Sequence, residues 1–372
     1  MPPFLLSCLA YLCVALPGST LGLLWPSMRM SIHQPVGALG IMLVAGAAAS
    51  AVSSAATGRL LRTIPPGLPL AIGAALVSLA LAVEAAADAL WLIVIGSAVF
   101  SVGFGAIDTA LNVYAAAQFG PKAINWMHAS YALGATLGPL LVTALLAAGA
   151  DWRAALASMA VAAAAIAVLA ALAGRRWHVP PAAAPAPDGA DVAPHRRALL
   201  PRVLFSAVET GVESAAGIWG YGFLTAGRGL SPVTAGIVVS AYWAMMFVGR
   251  MLLGPVAQRA GAAPVLAIAV VGVPCGALLM TLPLPAGFAV AGLLVLGLAA
   301  APVFPLITLV TSGPGGGDAA AVGLQVAASA VGSAALPSGV GLAVGAFGAW
   351  TVAPSLLTLG LAMGVVYWTA LR

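Results

Sequence analysis

The chain has 372 residues, of which 14 are Lys or Arg and 9 are Asp or Glu, so only 6% are charged. A soluble protein carries roughly 25% charged residues, whereas 62% of this chain is hydrophobic and its mean hydropathy is +1.10. These values exclude a cytosolic or secreted globular protein. The net charge of +5 comes from scattered arginines, so no nucleic-acid partner is expected.

Long unbroken apolar runs indicate a helical membrane protein, because a β-barrel would alternate polar and apolar residues in short strands. A spanning helix needs about 20 apolar residues. This length predicts an all-α protein with twelve transmembrane helices. The predicted spans are 4–27, 36–57, 67–87, 90–116, 124–149, 151–173, 201–226, 233–254, 263–282, 286–311, 320–346 and 350–371.

One break between spans is unusually long and rich in Pro, Ala and Arg: residues 174–200, GRRWHVPPAAAPAPDGADVAPHRRALL. Such a composition is typical of a linker and does not form a packed core. It divides the chain into an N-terminal six-helix bundle, 1–173, and a C-terminal six-helix bundle, 201–372.

The basic residues predict the orientation in the membrane. With both termini in the cytoplasm, eleven of the 14 basic residues lie on the cytoplasmic side. These are Arg59, Arg62, Lys122, Arg175, Arg176, Arg196, Arg197, Arg202, Arg250, Arg259 and Arg372. The others, Arg29, Arg153 and Arg228, lie outside.

The two halves of the sequence resemble each other. GRLLRTIPPG (58–67) and GRMLLGPVAQRAG (249–261) occupy equivalent loops, and NWMHASYALGATLGPLL (125–141) matches GLQVAASAVGSAALPSG (323–339). Parallel repeats joined by a cytoplasmic connector resemble the major facilitator superfamily of transporters. The Gly-Arg loops resemble that superfamily's loop motif without its Asp.

Ionisable side chains inside a membrane are costly and mark candidate functional sites. Six of the nine acids fall in the linker, in turns or at helix ends, where Glu84 is expected at the outer interface. Asp108, Glu209 and Glu213 remain. These three are the candidate proton-coupling residues.

Asp108 and Asn112 are four residues apart in the fourth span, so they share one helix face. Gly103 and Gly105 narrow the helix just before them, which lets a neighbouring helix or a substrate approach. The low dielectric of the membrane disfavours a charged carboxylate, as a proton-coupled site requires. The alternative is an acid that only joins two helices.

Glu209 and Glu213 also share a face, and their mutual repulsion predicts that at least one is neutral. Glu213 lies nearer the centre of its span and is the better candidate for substrate binding or coupling. Glu209 is equally compatible with a cytoplasmic gate or a packing contact.

The fifth span places Asn125, His128 and Tyr131 at intervals of three residues, and Gln325 is the repeat counterpart of His128. His128 could relay protons or serve as a neutral hydrogen-bonding group. Gly134 and Gly138 predict close helix packing.

Aromatic rings can stack on the apolar face of a sugar, and Trp219 and Trp243 lie well inside their spans. Together with Asn112, Asn125, His128, Tyr131 and Gln325 they complete the predicted substrate-binding residues. Tryptophans near helix ends are expected to be interface anchors. These are Trp25, Trp91, Trp152, Trp350 and Trp368.

No nucleophile elbow, zinc-protease motif, P-loop or dinucleotide fingerprint occurs in the sequence. No enzyme activity, metal or cofactor is therefore predicted. The GPGGG run at 313–317 follows no strand, so it does not predict a phosphate site.

Three segments resemble one branch of the superfamily, the fucose/glucose/galactose–proton symporters, and its wider group. They are GSTLGLLWPSM (18–28), GFGAIDTALNVYAAA continuing into NWMHASYALGATLGP, and ETGVESAAGIWGYGFLTAGRGLSP. The resemblance implies that Asp108 is the proton-carrying carboxylate, Asn112 the neighbouring substrate amide and Glu213 the acid of the seventh span.

Sugar symporters of that branch also have a carboxylate in the first helix, whereas span 4–27 has no acid. Three alternatives follow: Asp108 alone couples the proton, Glu213 takes over this role, or coupling is absent.

The sequence thus predicts a monomeric, proton-coupled secondary transporter of the inner membrane, whose partners are the lipid bilayer, protons and a small polar solute, with a sugar favoured. One alternative is a proton-driven exporter of hydrophobic drugs or metabolites, because Ala, Leu and Met could line an apolar cavity. A second alternative is a receptor or scaffold, against which the short tails count.

Overall fold

The computed structural model describes residues 2–119, 121–174, 177, 196–312 and 319–371. Most of the predicted linker and the GPGGG run lie outside these residues. The described chain is almost entirely helical and divides into two compact units, Met1–Pro187 and Asp188–Arg372.

The first unit contains seven of the described helices. They are α1 (Pro3–Gly18), α2 (Leu21–Ser31), α3 (Leu39–Leu60), α4 (Gly67–Ala86), α5 (Leu90–Gln118), α6 (Pro121–Ala147) and α7 (Trp152–Leu172). Asp151 is the N-cap residue of α7: its carboxylate accepts a hydrogen bond from the Ala154 N–H at 3.0 Å and so stabilises the start of the helix.

The second unit continues the series. Its described helices are α8 (Arg196–Gly222), α9 (Pro232–Ala260), α10 (Ala262–Thr281), α11 (Ala286–Ala300), α12 (Val303–Ser312), α13 (Ala319–Phe347) and α14 (Val352–Ala370). A π-helical turn, Phe223–Gly227, extends α8.

Ten helical segments of the described chain are long and apolar enough to cross a membrane. The pair α1 and α2, bent by 46°, forms an eleventh if it is one span. The first predicted span is thus broken into two helices, and the tenth is divided between α11 and α12. Helix α8, which carries Glu209 and Glu213, is not among these segments. The structure supports a multi-pass helical protein but does not establish the predicted number of twelve.

Equivalent helices pack in the same pairs within each unit. In the first unit α1 packs on α6, α3 and α4 on α5, and α4 on α7. In the second unit the corresponding pairs are α8 on α13, α9 and α10 on α11, and α10 on α14. The repeat predicted from the two halves of the sequence is therefore present in the helix pairing.

Glycines allow the closest of these approaches. Gly73 of α4 and Gly103 of α5 lie backbone to backbone, since a Cβ on Gly73 would be 2.7 Å from the Gly103 carbonyl oxygen. Gly276 and Gly292 do the same between α10 and α11, where the corresponding distance is 2.6 Å. Gly105 lies as close to α3. Gly103 and Gly105, just before Asp108, thus allow neighbouring helices to pack closely. The sequence had predicted the close approach of either a helix or a substrate here.

Two tryptophans expected to be interface anchors are instead buried. Trp25 is 1% exposed and its indole N–H donates to the Val36 carbonyl oxygen at 2.9 Å. Trp152 is 3% exposed, with the Arg153 guanidinium over its ring. Hydropathy at a helix end does not reveal whether another segment covers the ring, so the prediction was wrong for these two.

The start of the predicted linker is also packed. Trp177 is buried, and its ring lies 4.6 Å from that of Tyr114 and directly against Gly67. An aromatic side chain of this size is strongly stabilised by leaving water. The prediction that 174–200 contributes nothing to a packed core is therefore wrong at Trp177.

Glu84 likewise differs from its predicted place at the outer interface. It is 7% exposed and accepts a hydrogen bond from Ser97 Oγ at 3.0 Å. Gly96 leaves room for the carboxylate side chain between α4 and α5. The acid is buried inside the first unit because a glycine and a hydroxyl on the neighbouring helix accommodate it.

The contact between α1 and α6 provides a test of the fold. A Cβ on Gly134 would collide with the Leu12 carbonyl group and be 3.0 Å from the Ala15 Cβ. We expect Gly134→Ala to lower the free energy of unfolding by about 1–3 kcal/mol, the usual cost of overpacking. Thermal unfolding in detergent measures the effect.

Gly339→Ala in α13 is the matched control, because nothing lies within 4 Å of the Cβ it would add. A helical Gly→Ala change without a clash should leave stability unchanged or raise it slightly. Equal effects of the two variants would contradict the predicted packing contact.

Candidate functional site

The N-terminal cluster is formed by Tyr11, Asp108, Asn112, His128 and Tyr131. The Tyr11 hydroxyl donates to Asp108 Oδ1 at 2.7 Å. Asn112 Nδ2 lies 3.1 Å from the same oxygen and 2.9 Å from the Tyr11 hydroxyl. Tyr11 is 1% exposed and Asp108 is half-buried. The carboxylate is therefore held by two donors from two helices.

Local structure explains this arrangement. Asp108 and Asn112 are one turn apart on α5, and Asn112 Nδ2 also donates to the Asp108 carbonyl oxygen at 2.9 Å. Tyr11 comes from α1, which Gly134 and Gly138 hold against α6. The two-helix origin of the donors makes the geometry depend on helix packing as well as on sequence spacing.

Two further side chains from α6 surround the same tyrosine. The His128 ring lies 5.4 Å from the Tyr11 ring, and the Tyr131 ring lies 6.0 Å from it, nearly perpendicular. The structure thus brings together four predicted residues around one that was not predicted.

In this cluster, Tyr11 is the residue that sequence reasoning missed. It is a hydroxyl in a helix without acids, and nothing in its own segment distinguishes it from an ordinary aromatic core residue. Asn125, which was predicted to be part of this group, has a side chain outside the described part of the chain.

The C-terminal cluster consists of Glu209, Glu213, Tyr242 and Arg250. Glu213 Oε1 is 3.7 Å from an Arg250 guanidinium nitrogen, which is longer than a hydrogen bond. The Tyr242 hydroxyl donates to the Glu213 carbonyl oxygen at 3.0 Å.

Glu209 lies one turn before Glu213 and is 1% exposed. Its Oε2 accepts a hydrogen bond from Thr210 Oγ1 at 3.1 Å, while its Oε1 has no partner among the described residues. The two acids of α8 therefore differ in environment, since Glu213 lies beside a cation and Glu209 accepts from the Thr210 hydroxyl.

Arg250 was predicted to lie in the cytoplasmic set of basic residues, without a role in a site. The structure shows it beside Glu213, with its Nε donating to the Ala301 carbonyl oxygen at 3.4 Å. Its position inside an apolar span was a usable signal, because a charge within a span marks a functional candidate.

The two candidate tryptophans differ in what they can offer. The Trp219 indole N–H already donates to the Pro337 carbonyl oxygen at 2.8 Å, which leaves only its ring for a ligand. The Trp243 ring packs against Gly217 and lies 5.3 Å from the Tyr242 ring. Its N–H is buried without a partner in the described chain, so it can donate to a ligand.

Gln325 is completely buried on α13. Its Nε2 donates to Thr308 Oγ1 at 2.9 Å, and its Oε1 has no partner among the described residues. It lies with hydroxyl groups of α12 rather than beside the acids of α8.

The two clusters are suited to different chemistry. In the N-terminal cluster a carboxylate, an amide, a phenol and an imidazole can exchange a proton and hydrogen-bond the hydroxyls of a solute. In the C-terminal cluster the guanidinium offsets the charge of one of two neighbouring carboxylates.

Solved structures of membrane transporters have the same fold. The chain aligns with a mutant of the nucleoside transporter NupG at a TM-score of 0.82 and 15% identity, covering 99% of each chain. A bacterial homologue of the human lysosomal transporter Spinster aligns at a TM-score of 0.82 and 12% identity, covering 99% of this chain and 96% of that one. A mutant of the E. coli fucose:proton symporter FucP aligns at a TM-score of 0.66 and 16% identity, covering 100% of this chain and 98% of that one.

Because the sequence identities are this low, the structural similarity establishes a shared fold and no shared function. No curated protein sequence matches the chain. The sequence model of the Major Facilitator Superfamily, however, matches residues 7–337. That match spans most of the chain, and with the two units of apolar helices it shows that the protein belongs to the Major Facilitator Superfamily of membrane transporters.

Proposed function

We propose that this protein is a proton-coupled secondary transporter of a small polar solute, with a sugar as the favoured substrate class. The observation that carries the proposal is the hydrogen-bonded group of the buried Tyr11 and the half-buried Asp108 and Asn112, which lies among apolar helices. A carboxylate in such a place must be neutralised or compensated when the protein moves it through the membrane interior. A bound proton does this.

In the proposed mechanism Asp108 takes a proton, and the neutral, loaded protein then changes its access from one side of the membrane to the other. Asn112 and the Tyr11 hydroxyl share the carboxylate oxygen, so a solute hydroxyl that hydrogen-bonds either of them senses the protonation state. This supports coupling between proton and solute at one place.

The predicted symporter branch has a carboxylate in the first helix, and this chain has the Tyr11 hydroxyl against Asp108 instead. A phenol can orient the carboxylate without adding a second charge. Of the three alternatives that the sequence left open, this contact favours Asp108 as the residue that couples the proton.

The sugar assignment is supported by rings and donors on both units, each considered separately. The rings of Tyr11, His128 and Tyr131 lie together beside Asp108, and the unpaired N–H of Trp243 can donate to a hydroxyl. The solved structures of similar fold include a nucleoside transporter, a fucose:proton symporter and a peptide transporter. Their named solutes are polar.

The remaining parts of the proposal concern the protein in the cell. It acts as a monomer in the inner membrane, with both termini in the cytoplasm, as the excess of basic residues in the predicted cytoplasmic loops favours. The two bundles, 1–173 and 201–372, move as the halves of an alternating-access transporter.

The proton-coupling role proposed for Asp108 can be tested by removing its ionisable group. Asp108→Asn keeps the shape of the side chain but cannot exchange a proton. We expect it to abolish the uptake of radiolabelled fucose, glucose or galactose driven by an inward proton gradient in proteoliposomes. Exchange of the same sugar across the membrane without a gradient should continue.

Equal gradient-driven accumulation in native and variant protein would contradict the assignment of Asp108. Asp88→Asn is the control, since that acid lies at the predicted outer end of a helix. Absence of sugar uptake together with resistance to hydrophobic drugs on overexpression would favour the exporter instead.

Tyr11→Phe tests the hydroxyl on the carboxylate. It removes a hydrogen bond to a charged group, which contributes about 1.5–3 kcal/mol, and keeps the ring. We expect uptake at limiting sugar to fall by at least about tenfold, a factor equivalent to 1.4 kcal/mol. Tyr114→Phe on α5 is the control, because that ring packs against Trp177. Equal effects would contradict the role of Tyr11.

The ion pair is tested by a double-mutant cycle with Glu213→Gln and Arg250→Gln. Because the Arg250 side chain is 36% exposed and the contact is 3.7 Å, the coupling energy should be modest, about 1 kcal/mol. Thermal unfolding gives the four stabilities. Additive effects would show that the two side chains are not paired in the membrane.

A further inference from the structure

Buried oxygen atoms without hydrogen-bond partners are concentrated in one part of the second unit. They are Ser206 Oγ, Glu209 Oε1, Thr311 Oγ1 and Gln325 Oε1, each without a partner among the described residues. The exposed fractions of these four residues are 0%, 1%, 2% and 0%. Buried polar atoms are nearly always hydrogen-bonded, so a group of orphans calls for a physical explanation.

Hydrogen bonds and one helical turn connect Glu209, Ser206 and Gln325 into a row between α8, α12 and α13. The Thr210 hydroxyl joins Glu209 Oε2 to the Ser206 carbonyl oxygen, at 3.1 and 2.9 Å. Ser329 Oγ, which is 5% exposed, donates to the same carbonyl oxygen at 3.4 Å. The row thus crosses from α8 to α13.

On α13 the row continues from Ser329 to Gln325, one turn earlier. Gln325 Nε2 then donates to Thr308 Oγ1 of α12 at 2.9 Å. Thr311 lies one turn beyond Thr308, next to the last residue of α12, Ser312. Helix α12 packs against both α8 and α13.

The length of the row excludes a single metal ion as the missing partner. At a rise of 1.5 Å per residue, Glu209 and Gln325 are about 10 Å apart along the helices, and Thr311 is farther still. A cation collects oxygen ligands at about 2.3–2.6 Å. Water molecules, each of which bonds two to four polar groups, can satisfy orphans that are spread along a row.

We propose that a file of water molecules occupies the interface of α8, α12 and α13 and connects Glu209 to the Thr311 end of the second unit. Each buried oxygen without a protein partner is hydrogen-bonded by a water molecule of the file. The Ser206 and Thr311 hydroxyls can relay a proton by accepting one and releasing another. The file is a proton path to Glu209, separate from the Asp108 cluster.

The proposal rests on the proposed function only where it names the proton as the species conducted. The charged groups near Glu209 are Glu213, one turn later on α8, and Arg250 of α9. Tyr242 of α9 is a third titratable group near Glu209, and Glu209 is the carboxylate that joins the row, through the Thr210 hydroxyl. The occupancy of the row by water can be tested without any transport assay.

The test uses infrared spectroscopy of the purified full-length protein in lipid. A protonated carboxyl group has a separate carbonyl band, which Glu209→Gln identifies by its loss. After transfer to D₂O the shift of this band measures how quickly water reaches Glu209. We expect rapid exchange in the native protein and about tenfold slower exchange in Thr311→Val and Gln325→Met, a factor that corresponds to the loss of one hydrogen-bonding partner.

Ser333→Ala is the matched control, because that hydroxyl donates to the Ala330 carbonyl oxygen of its own helix at 2.9 Å. Thr311→Ser should restore rapid exchange, and thermal unfolding confirms that each variant is folded. Equal exchange rates in all variants would overturn the proposal, as would slowing by Ser333→Ala.

Two other results would also overturn it. No Glu209 band at any accessible pH would mean that this carboxyl does not hold a proton. A band shift caused by Na⁺ at constant pH would assign the oxygens to a cation. If the water file is confirmed but gradient-driven uptake fails in the native protein, the proposed function fails while the file stands.

Discussion

The close approach of helix backbones at glycines is the constraint on which the functional geometry depends. Gly134 and Gly138 hold α6 against α1, and α1 carries the Tyr11 hydroxyl to Asp108. Gly332 plays the equivalent part for α8 and α13, where a Cβ would meet the Ala207 backbone. In an apolar solvent, helix association gains little from the hydrophobic effect, so small residues that permit close packing decide where polar side chains meet.

The two units share this packing scheme but contain different chemistry. The N-terminal cluster joins one carboxylate to neutral donors, whereas the C-terminal cluster places a guanidinium near one of two carboxylates. A carboxylate held by neutral groups changes the net charge of its surroundings when it takes a proton. A carboxylate beside a cation changes a neutral pair into a positive one. The same fold thus provides two different electrostatic responses to a proton.

Sequence reasoning identified the helical spans, the repeat and the three intramembrane acids from physical rules that act locally. Apolar length predicts spans, and helical spacing places Asp108 with Asn112 on one face. The same rules failed where a second segment decides the outcome. Trp25 and Glu84 lie near the ends of their predicted spans and were expected at the interface, but they are buried and hydrogen-bonded to Val36 and Ser97. Tyr11 was missed as a site residue for the same reason, because it gains its role from a helix distant in sequence, whereas Arg250 had a local signal that was not used.

The sequence by itself determined that this is a helical membrane protein with two related halves, because so few charges cannot cover a soluble surface. It also determined which acids require an explanation, since a charge inside an apolar span is costly wherever the span lies. Only the tertiary structure decided what two of these acids meet: a phenol and an amide for Asp108, and an arginine for Glu213. These contacts join residues as far as 101 positions apart, and local periodicity contains no information about pairs so distant.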